Sequence, residues 1–300
     1  MIRSVVHFVL LFAGLPLLAY AGPFTVTDDT GHQISFVSPA QRIVALSPHI
    51  VETLFVAGAG DKIVGAVEYS DYPSVAKSIP RVGGYASFDL ETLLALKPDL
   101  IIGWESGNSP TAISKIRSLG IPLYLSQSNT VSQVAVEIEK FGRMAGTENV
   151  AQPAANTFRK RLSTLQKIYG SRPTVTVFYQ ISESPLMTIG GKQIITNALS
   201  ICGGKNIFEA LIPMAPVITA ESVLAANPEV IMASGMEQTH PQALDLWKKW
   251  PKLTATQRGN FFFIDPDLMN RNGPRILDGT QMLCEAIQTA RSRRPPQTVR

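Results

Sequence analysis

Four histidines and two groups of acids are the residues of this 300-residue chain that could do hydrolytic or metal chemistry. Asp28, Asp29 and His32 form one group; Asp265 and Asp267 form the other. An exported hydrolase or metal-dependent phosphatase would need further ligands converging on such acids, and neither group has them at useful spacing. His7 sits in an apolar leader, His32 in a turn, and His49 and His240 in different halves of the chain, so no histidine cluster forms a zinc site. No G-x-S-x-G elbow, H-E-x-x-H helix or P-loop occurs. "GAGDKIVG" carries a lone G-x-G, but it follows a helix rather than a strand and reads as a helix stop. Enzymatic chemistry is therefore the distant alternative.

Aromatic and polar side chains gather at loop positions instead. Tyr69 and Tyr72 lie in "EYSDYP", Tyr85 in "RVGGYASF" and Trp104 in "IIGWESGN"; Tyr179, Met187 and "DPDLMNRNGPR" (265–275) occupy comparable places later. Large flat side chains with a few polar groups suit a cleft that holds a bulky, partly apolar ligand. Any single Tyr serves as well as a half-buried core edge, yet four rings in the loops of one half favour a site. His49, at a helix start, reads as a capping or solvent-facing residue.

The elements that must position these residues alternate. "RIVAL", "KIVGAV", "DLIIGW" and "IPLYLS" are short strands separated by helices, apolar on both faces, as in a mainly parallel sheet. "FTVTDDTGHQISF" reads as a preceding hairpin. From residue 131 the alternation stops for two helices, the second of which has apolar residues at Ala154, Phe158, Leu162, Leu165 and Ile168. Pro153 is tolerable only near that helix's first turn. After Pro173 the alternation restarts with "TVTVFYQ", "IITNALSICGG", "FFFID" and a closing helix.

An internal repeat explains the restart. "LETLLALKPDLII" (90–102) and "AESVLAANPEVIM" (220–232) share helix, break and strand, with Glu91 and Glu221, Pro98 and Pro228, and Asp99 and Glu229 in register. "VETLFVAGAGDKIV" and "ITNALSICGGKNIF" form a second correspondence. The expected fold class is α/β: two Rossmann-like lobes with mainly parallel sheets joined by a rigid long helix. The expected limits are a leader at 1–21, lobes at 22–146 and 171–295, a connecting helix at 147–170 and a tail at 296–300.

Arg3, the apolar run 5–18 and the closing "AYA" describe a secretory signal peptide, with no cysteine after the cut for lipid attachment. The expected product begins near Gly22 and resides in a bacterial periplasm. Without Arg3 the 27 Lys and Arg become 26, against 23 Asp and Glu, a balance too mild to indicate nucleic acid. In an oxidising compartment the lone pair Cys202 and Cys284 favours a disulfide, with two separate buried thiols as the other reading.

"RIVALSP", "YSDYP", "LETLLALKPDLIIGW", "CGGKNIF" and "RNGPRI…LC" together resemble the periplasmic ligand-binding proteins of vitamin B12 importers, across nearly all of residues 42–290. "ALKPDLII" alone would indicate only the broader helical-backbone class (class III periplasmic binding proteins), which also serves haem and ferric siderophores. The resemblance implies a non-enzymatic carrier with no cofactor, whose ligand, cobalamin, lies in a cleft between the lobes and passes to a membrane ABC permease dimer with its ATPase. It implies Tyr69, Tyr85 and Trp104 on one side of the ligand and Asp267 and Arg271 on the other. It also implies that Cys202 and Cys284 pair, and that Glu91 and Glu221 dock onto arginines of the permease. The residues alone allow the two Glu a second role, at helix N-termini against the dipole. Three positions depart from the family pattern: Tyr85 and Met214 stand where Trp is expected, and Leu186 or Met187 where Phe is expected. Haem, with Tyr85 as axial ligand, and a ferric siderophore, paired with Arg271 and Arg275, are the alternative cargoes.

Overall fold

The computed structural model describes residues 22–84, 86–235 and 241–296. The expected signal peptide, Tyr85 and the tail beyond residue 296 lie outside the described residues.

The chain opens with an antiparallel hairpin, β1 (Phe24–Thr27) and β2 (Gln33–Phe36). The acids proposed for hydrolytic chemistry hold it in place. Asp28 accepts from the backbone N–H groups of Thr30 and His32, and Asp29 accepts from Gln127 N and Lys140 Nζ. Next come β3 (Ile43–Ala45), α1 (Pro48–Val56), β4 (Ile63–Ala66), α2 (Leu90–Ala95), β5 (Leu100–Trp104), α3 (Pro110–Ser118) and β6 (Leu123–Ser126). They form a parallel sheet in the order β4-β3-β5-β6.

Two helices follow, α4 (Val131–Ala145) and α5 (Glu148–Tyr169), packed on each other about a left-handed Gly146. The 22 residues of α5 span about 33 Å at the standard rise. Its buried stripe is Ala151, Ala155, Phe158, Leu162 and Leu165; Ile168, expected in the stripe, is 45% exposed. Pro153 occupies the sixth helical position, in the second turn rather than the first, so one carbonyl there loses its intrahelical donor.

The second lobe contains β7 (Val175–Glu183), β8 (Leu186–Thr188), α6 (Ile194–Ile201), β9 (Gly204–Asn206), α7 (Ala220–Ala226) and β10 (Val230–Ala233). α8 (Asp245–Lys248), α9 (Thr254–Gln257), β11 (Phe261–Phe263), α10 (Pro266–Met269) and α11 (Ile276–Ser292) complete it. Its parallel strands run β9-β7-β10-β11, with β8 antiparallel to the far end of β7. This is the strand order of the first lobe repeated. The repeated sequence unit is α2–β5 in one lobe and α7–β10 in the other, each an inner strand between two partners. Lys97 and Asn227 both take positive φ (48° and 43°) before a buried proline, which is how each helix stops and turns into its strand.

Cys202, at the end of α6, is disulfide-bonded to Cys284 in α11. Tyr179, expected in a loop, lies within β7 and is fully buried, with the environment holding its hydroxyl well above the ordinary tyrosine range. No helix among the described residues is long and apolar enough to cross a membrane.

Candidate functional site

In parallel sheets the loops at the carboxyl ends of the strands carry function. Here the segment after β11, running through α10 to the start of α11, meets the loops after β3, β4 and β6 of the other lobe. Gly273 approaches the His49 backbone so closely that a Cβ would lie 3.2 Å from its carbonyl oxygen. Asn272 Nδ2 donates to Ser128 O at 3.5 Å. The lobes touch here, and the segments carrying Tyr69, Trp104, Asp267 and Arg271 take part in or adjoin the contact.

At its centre is an ionic cluster. Arg271 Nη1 contacts Glu52 Oε1 at 3.0 Å and Asp71 Oδ1 at 2.8 Å, and its Nη2 contacts Asp267 Oδ1 at 2.9 Å. Arg275 embraces the same Glu52 through Nε–Oε2 at 2.9 Å and Nη2–Oε1 at 2.7 Å. Its guanidinium lies over the Tyr72 ring, 4.1 Å from the centroid. Glu52 is 2% exposed, whereas Asp71 and Asp267 are 38% and 36% exposed and edge the cluster. Although partial burial opposes it, the Arg271 guanidinium beside Asp71 holds that carboxyl below its ordinary range. The same carboxylates, working against burial, raise Arg271.

Next to this cluster the His49 ring packs edge-on against Trp104, centroids 5.2 Å apart. Ser47, placed to cap α1, instead hydrogen-bonds its hydroxyl to His49 Nδ1 at 2.7 Å. His49 is neither a cap nor solvent-facing: it is buried. Burial, reinforced by the charge of Arg271, depresses its imidazole from 6.5 to about 3, so it stays neutral. Trp104, the last residue of β5, is half-buried, and its indole Nε1 has no hydrogen-bond partner among the described residues. Tyr69 stands on the loop after β4 with positive φ and is 73% exposed.

The structure thus brings Asp267 and Arg271 into direct contact and ties them to Asp71, two residues from Tyr69. Trp104 joins through His49. Met214 lies apart from this chain of contacts, half-buried in a loop laid on the Gly190–Gly191 backbone. Gly190 N donates to Met214 O at 3.1 Å and Gly191 N to Leu211 O at 3.2 Å, and a Cβ on either glycine would collide with that loop's carbonyls. Glu91 and Glu221 are both exposed, and neither makes an ion pair among the described residues. Capping is done by Asp89 and Thr219. The Glu221 carboxyl is held slightly low by its own backbone N–H and the Thr219 hydroxyl.

Sequence reasoning missed Glu52 and Asp71. Glu52 had one signal: it is the lone charged residue of the apolar helix "PHIVETLFV". Two recesses away from the cleft carry no comparable constellation. One, of about 770 Å³, lies between the β1–β2 turn and the α3–β6 connection; the other, of about 570 Å³, lies beside Trp250. Among the described residues no group of His, Cys, Asp and Glu is placed to hold a metal ion.

A family model described as "Periplasmic binding protein" matches residues 43–268. A vitamin B12-binding protein of Vibrio cholerae serotype O1 is 37% identical over 254 residues, covering 84% of this chain and 91% of its own. The vitamin B12-binding protein of Vibrio campbellii is 35% identical over 280 residues, 92% of this chain and 98% of its own. Among solved structures, the periplasmic vitamin B12 binding protein BtuF of Vibrio cholerae superposes with a TM-score of 0.78 at 37% identity, covering 84% of this chain and 98% of that one.

Proposed function

The chain belongs to the periplasmic binding protein family, whose members bind solutes rather than transform them, and from that premise we propose that it captures cobalamin in the interlobe cleft. The cobalamin is then delivered to an ABC permease dimer with its ATPase. The observation that carries this reading is the meeting, at one interlobe contact, of aromatic faces with an acid-edged ionic cluster: Trp104 and Tyr69 beside Asp71, Asp267 and Arg271. A corrinoid has that chemistry, a broad apolar ring with a rim of amides that donate to carboxylates. The likeness to proteins named for vitamin B12 binding, over most of both chains, supports the same cargo.

In this reading Tyr69, Tyr85 and Trp104 supply apolar contact from the first lobe. Met214 supplies it from the second, and Asp267 and Arg271 supply polar contact. Exposed at matching positions on the two repeats, Glu91 and Glu221 are placed to meet a two-fold permease, one per half. The lobes correspond to 22–146 and 171–295 around a connecting helix at 147–170, and residues 1–21 direct export to the periplasm. A helix of the length of α5 between the lobes limits opening to small motions.

Calorimetric titration of the chain from Gly22 onward with cyanocobalamin tests the cargo, with haemin and a ferric hydroxamate in parallel. One-to-one binding of cyanocobalamin at submicromolar strength is expected. Heat from haemin or the hydroxamate alone would keep the carrier and replace its cargo.

A further inference from the structure

Glu52, Asp71 and Asp267 set three carboxylates against two guanidiniums, Arg271 and Arg275, which leaves one excess negative charge. His49 adds none, because its imidazole is neutral. Every guanidinium in the cluster is already committed. Arg271 is 12% exposed and held by three acids, and Arg275 is 18% exposed, clasped by Glu52 and covered on one face by Tyr72. The groups that remain reachable are the acids at the edge, Asp71 and Asp267, each more than a third exposed. A ligand entering the cleft therefore meets hydrogen-bond acceptors and negative charge, with no free cation of the cluster to greet an anion.

We propose that Asp71 and Asp267 are specificity-determining residues that act together as a charge filter. They admit a metal chelate whose rim carries neutral amides and reject one whose rim carries carboxylates. The inference rests on the corrinoid reading above and says what that reading does not: the cleft selects among chelates of the same size and shape by their peripheral charge. The physics has two parts. Amide N–H groups donate to the outward carboxylates, while a carboxylate rim brings like charges together in a partly desolvated site, which costs affinity and is recovered nowhere. By the same reasoning haem, with its two propionates, and carboxylate-rich iron chelates are disfavoured.

One pair of ligands, both without the nucleotide loop and both with two axial cyanides, isolates the rim charge. Dicyanocobinamide carries amides around its corrin ring, and dicyanocobyrinic acid carries carboxylates at the equivalent positions. The quantity to read is the ratio of the two affinities, by calorimetry, for the wild type, for Asp71→Asn with Asp267→Asn, and for Asp71→Glu with Asp267→Glu. The Asn pair turns the cluster's excess from one negative charge to one positive charge, and should shift the ratio toward cobyrinic acid on the order of tenfold or more. The Glu pair retains the charge and should leave the ratio in place. Both affinities moving together, with the ratio unchanged in the Asn pair, would overturn the filter.

The wild type gives a second measurement that needs no variant. Raising salt from about 20 mM to about 0.5 M should narrow the gap between the ligands, because screening weakens repulsion at partly exposed acids. A gap indifferent to salt counts against the filter. Dicyanocobinamide bound tightly and cobyrinic acid bound equally well would sink the filter alone. No binding of cyanocobalamin would sink the cargo reading and the filter with it.

Discussion

Glu52→Gln should be among the most damaging single substitutions near the site. The carboxylate is 2% exposed and accepts three contacts from two arginines, at 2.7, 2.9 and 3.0 Å. Losing its charge affects the two partners unequally. Arg271 keeps Asp71 and Asp267, but Arg275 makes no second ion pair among the described residues and is 18% exposed. Breaking a buried pair from one side costs about 3–5 kcal/mol, mostly as the penalty of the stranded charge. Glutamine retains an oxygen that, placed at Oε1, can accept two of the three bonds, and Arg275 keeps some access to water, so the expected loss is near the lower end, about 3 kcal/mol. Urea unfolding with linear extrapolation measures it. Glu52→Met combined with Arg275→Met supplies the control: the pair is replaced by apolar volume, no charge is stranded, and most of the loss should return. If Glu52→Gln cost less than about 1 kcal/mol, the value of an exposed pair, the interlobe cluster would not be the buried joint described here.

Three further outcomes follow from the same geometry. His49 titrates near 6.5 in the unfolded chain and only at about 3 in the fold, so stability is complete above 6.5 and declines as pH falls toward 3. His49→Phe keeps a ring against Trp104 but takes no proton, and should flatten the fall of the urea midpoint across that window; a slope equal to the wild type would remove this account. The Cys202–Cys284 bridge closes a loop of sequence separation 82, so Cys202→Ala with Cys284→Ala should lower stability by about 4.5 kcal/mol on the chain-entropy estimate. A loss below about 1 kcal/mol would mean that the unfolded chain is not constrained by it. Glu91→Gln with Glu221→Gln should weaken binding to the reconstituted permease on the order of tenfold without moving the melting midpoint, since both side chains are exposed and unpaired by charge. Unaltered permease affinity would leave the two acids without a docking role.

The fold was legible because its signals are local and occur twice. Helix, left-handed stop, proline and apolar strand recur 130 residues apart, and the buried positions of the two units coincide: Leu93 with Val223, Pro98 with Pro228, and the strand residues 100–102 with 230–232. The difference at the residue after the proline follows from its neighbours. Asp99 receives the backbone N–H groups of Gln41 and Arg42, whereas Glu229 binds Arg258 and Arg294. What escaped notice was short and depends on tertiary partners. β8 is three residues long and exists by pairing with β7, and α8 and α9 are single turns held by Trp247, whose indole N–H donates to Gln180 of β7 at 2.7 Å.

The site resisted for a different reason: its members are scattered over more than 200 positions, and no window contains them together. Two halves of it were nonetheless written in the chain. Asp267, Arg271 and Arg275 follow at intervals of four, the spacing of side chains on one helical face, although the helix breaks between α10 and α11 and Gly273 is pressed against the other lobe there. Glu52 is a single acid on an otherwise apolar helix, and a carboxylate buried in such surroundings must find a cation. Neither half names its partner. Once the internal repeat establishes two lobes, however, the cation-rich ladder in one and the lone buried acid in the other are complementary. Joining them requires the carboxyl ends of the two sheets to face one another, the arrangement that makes a cleft.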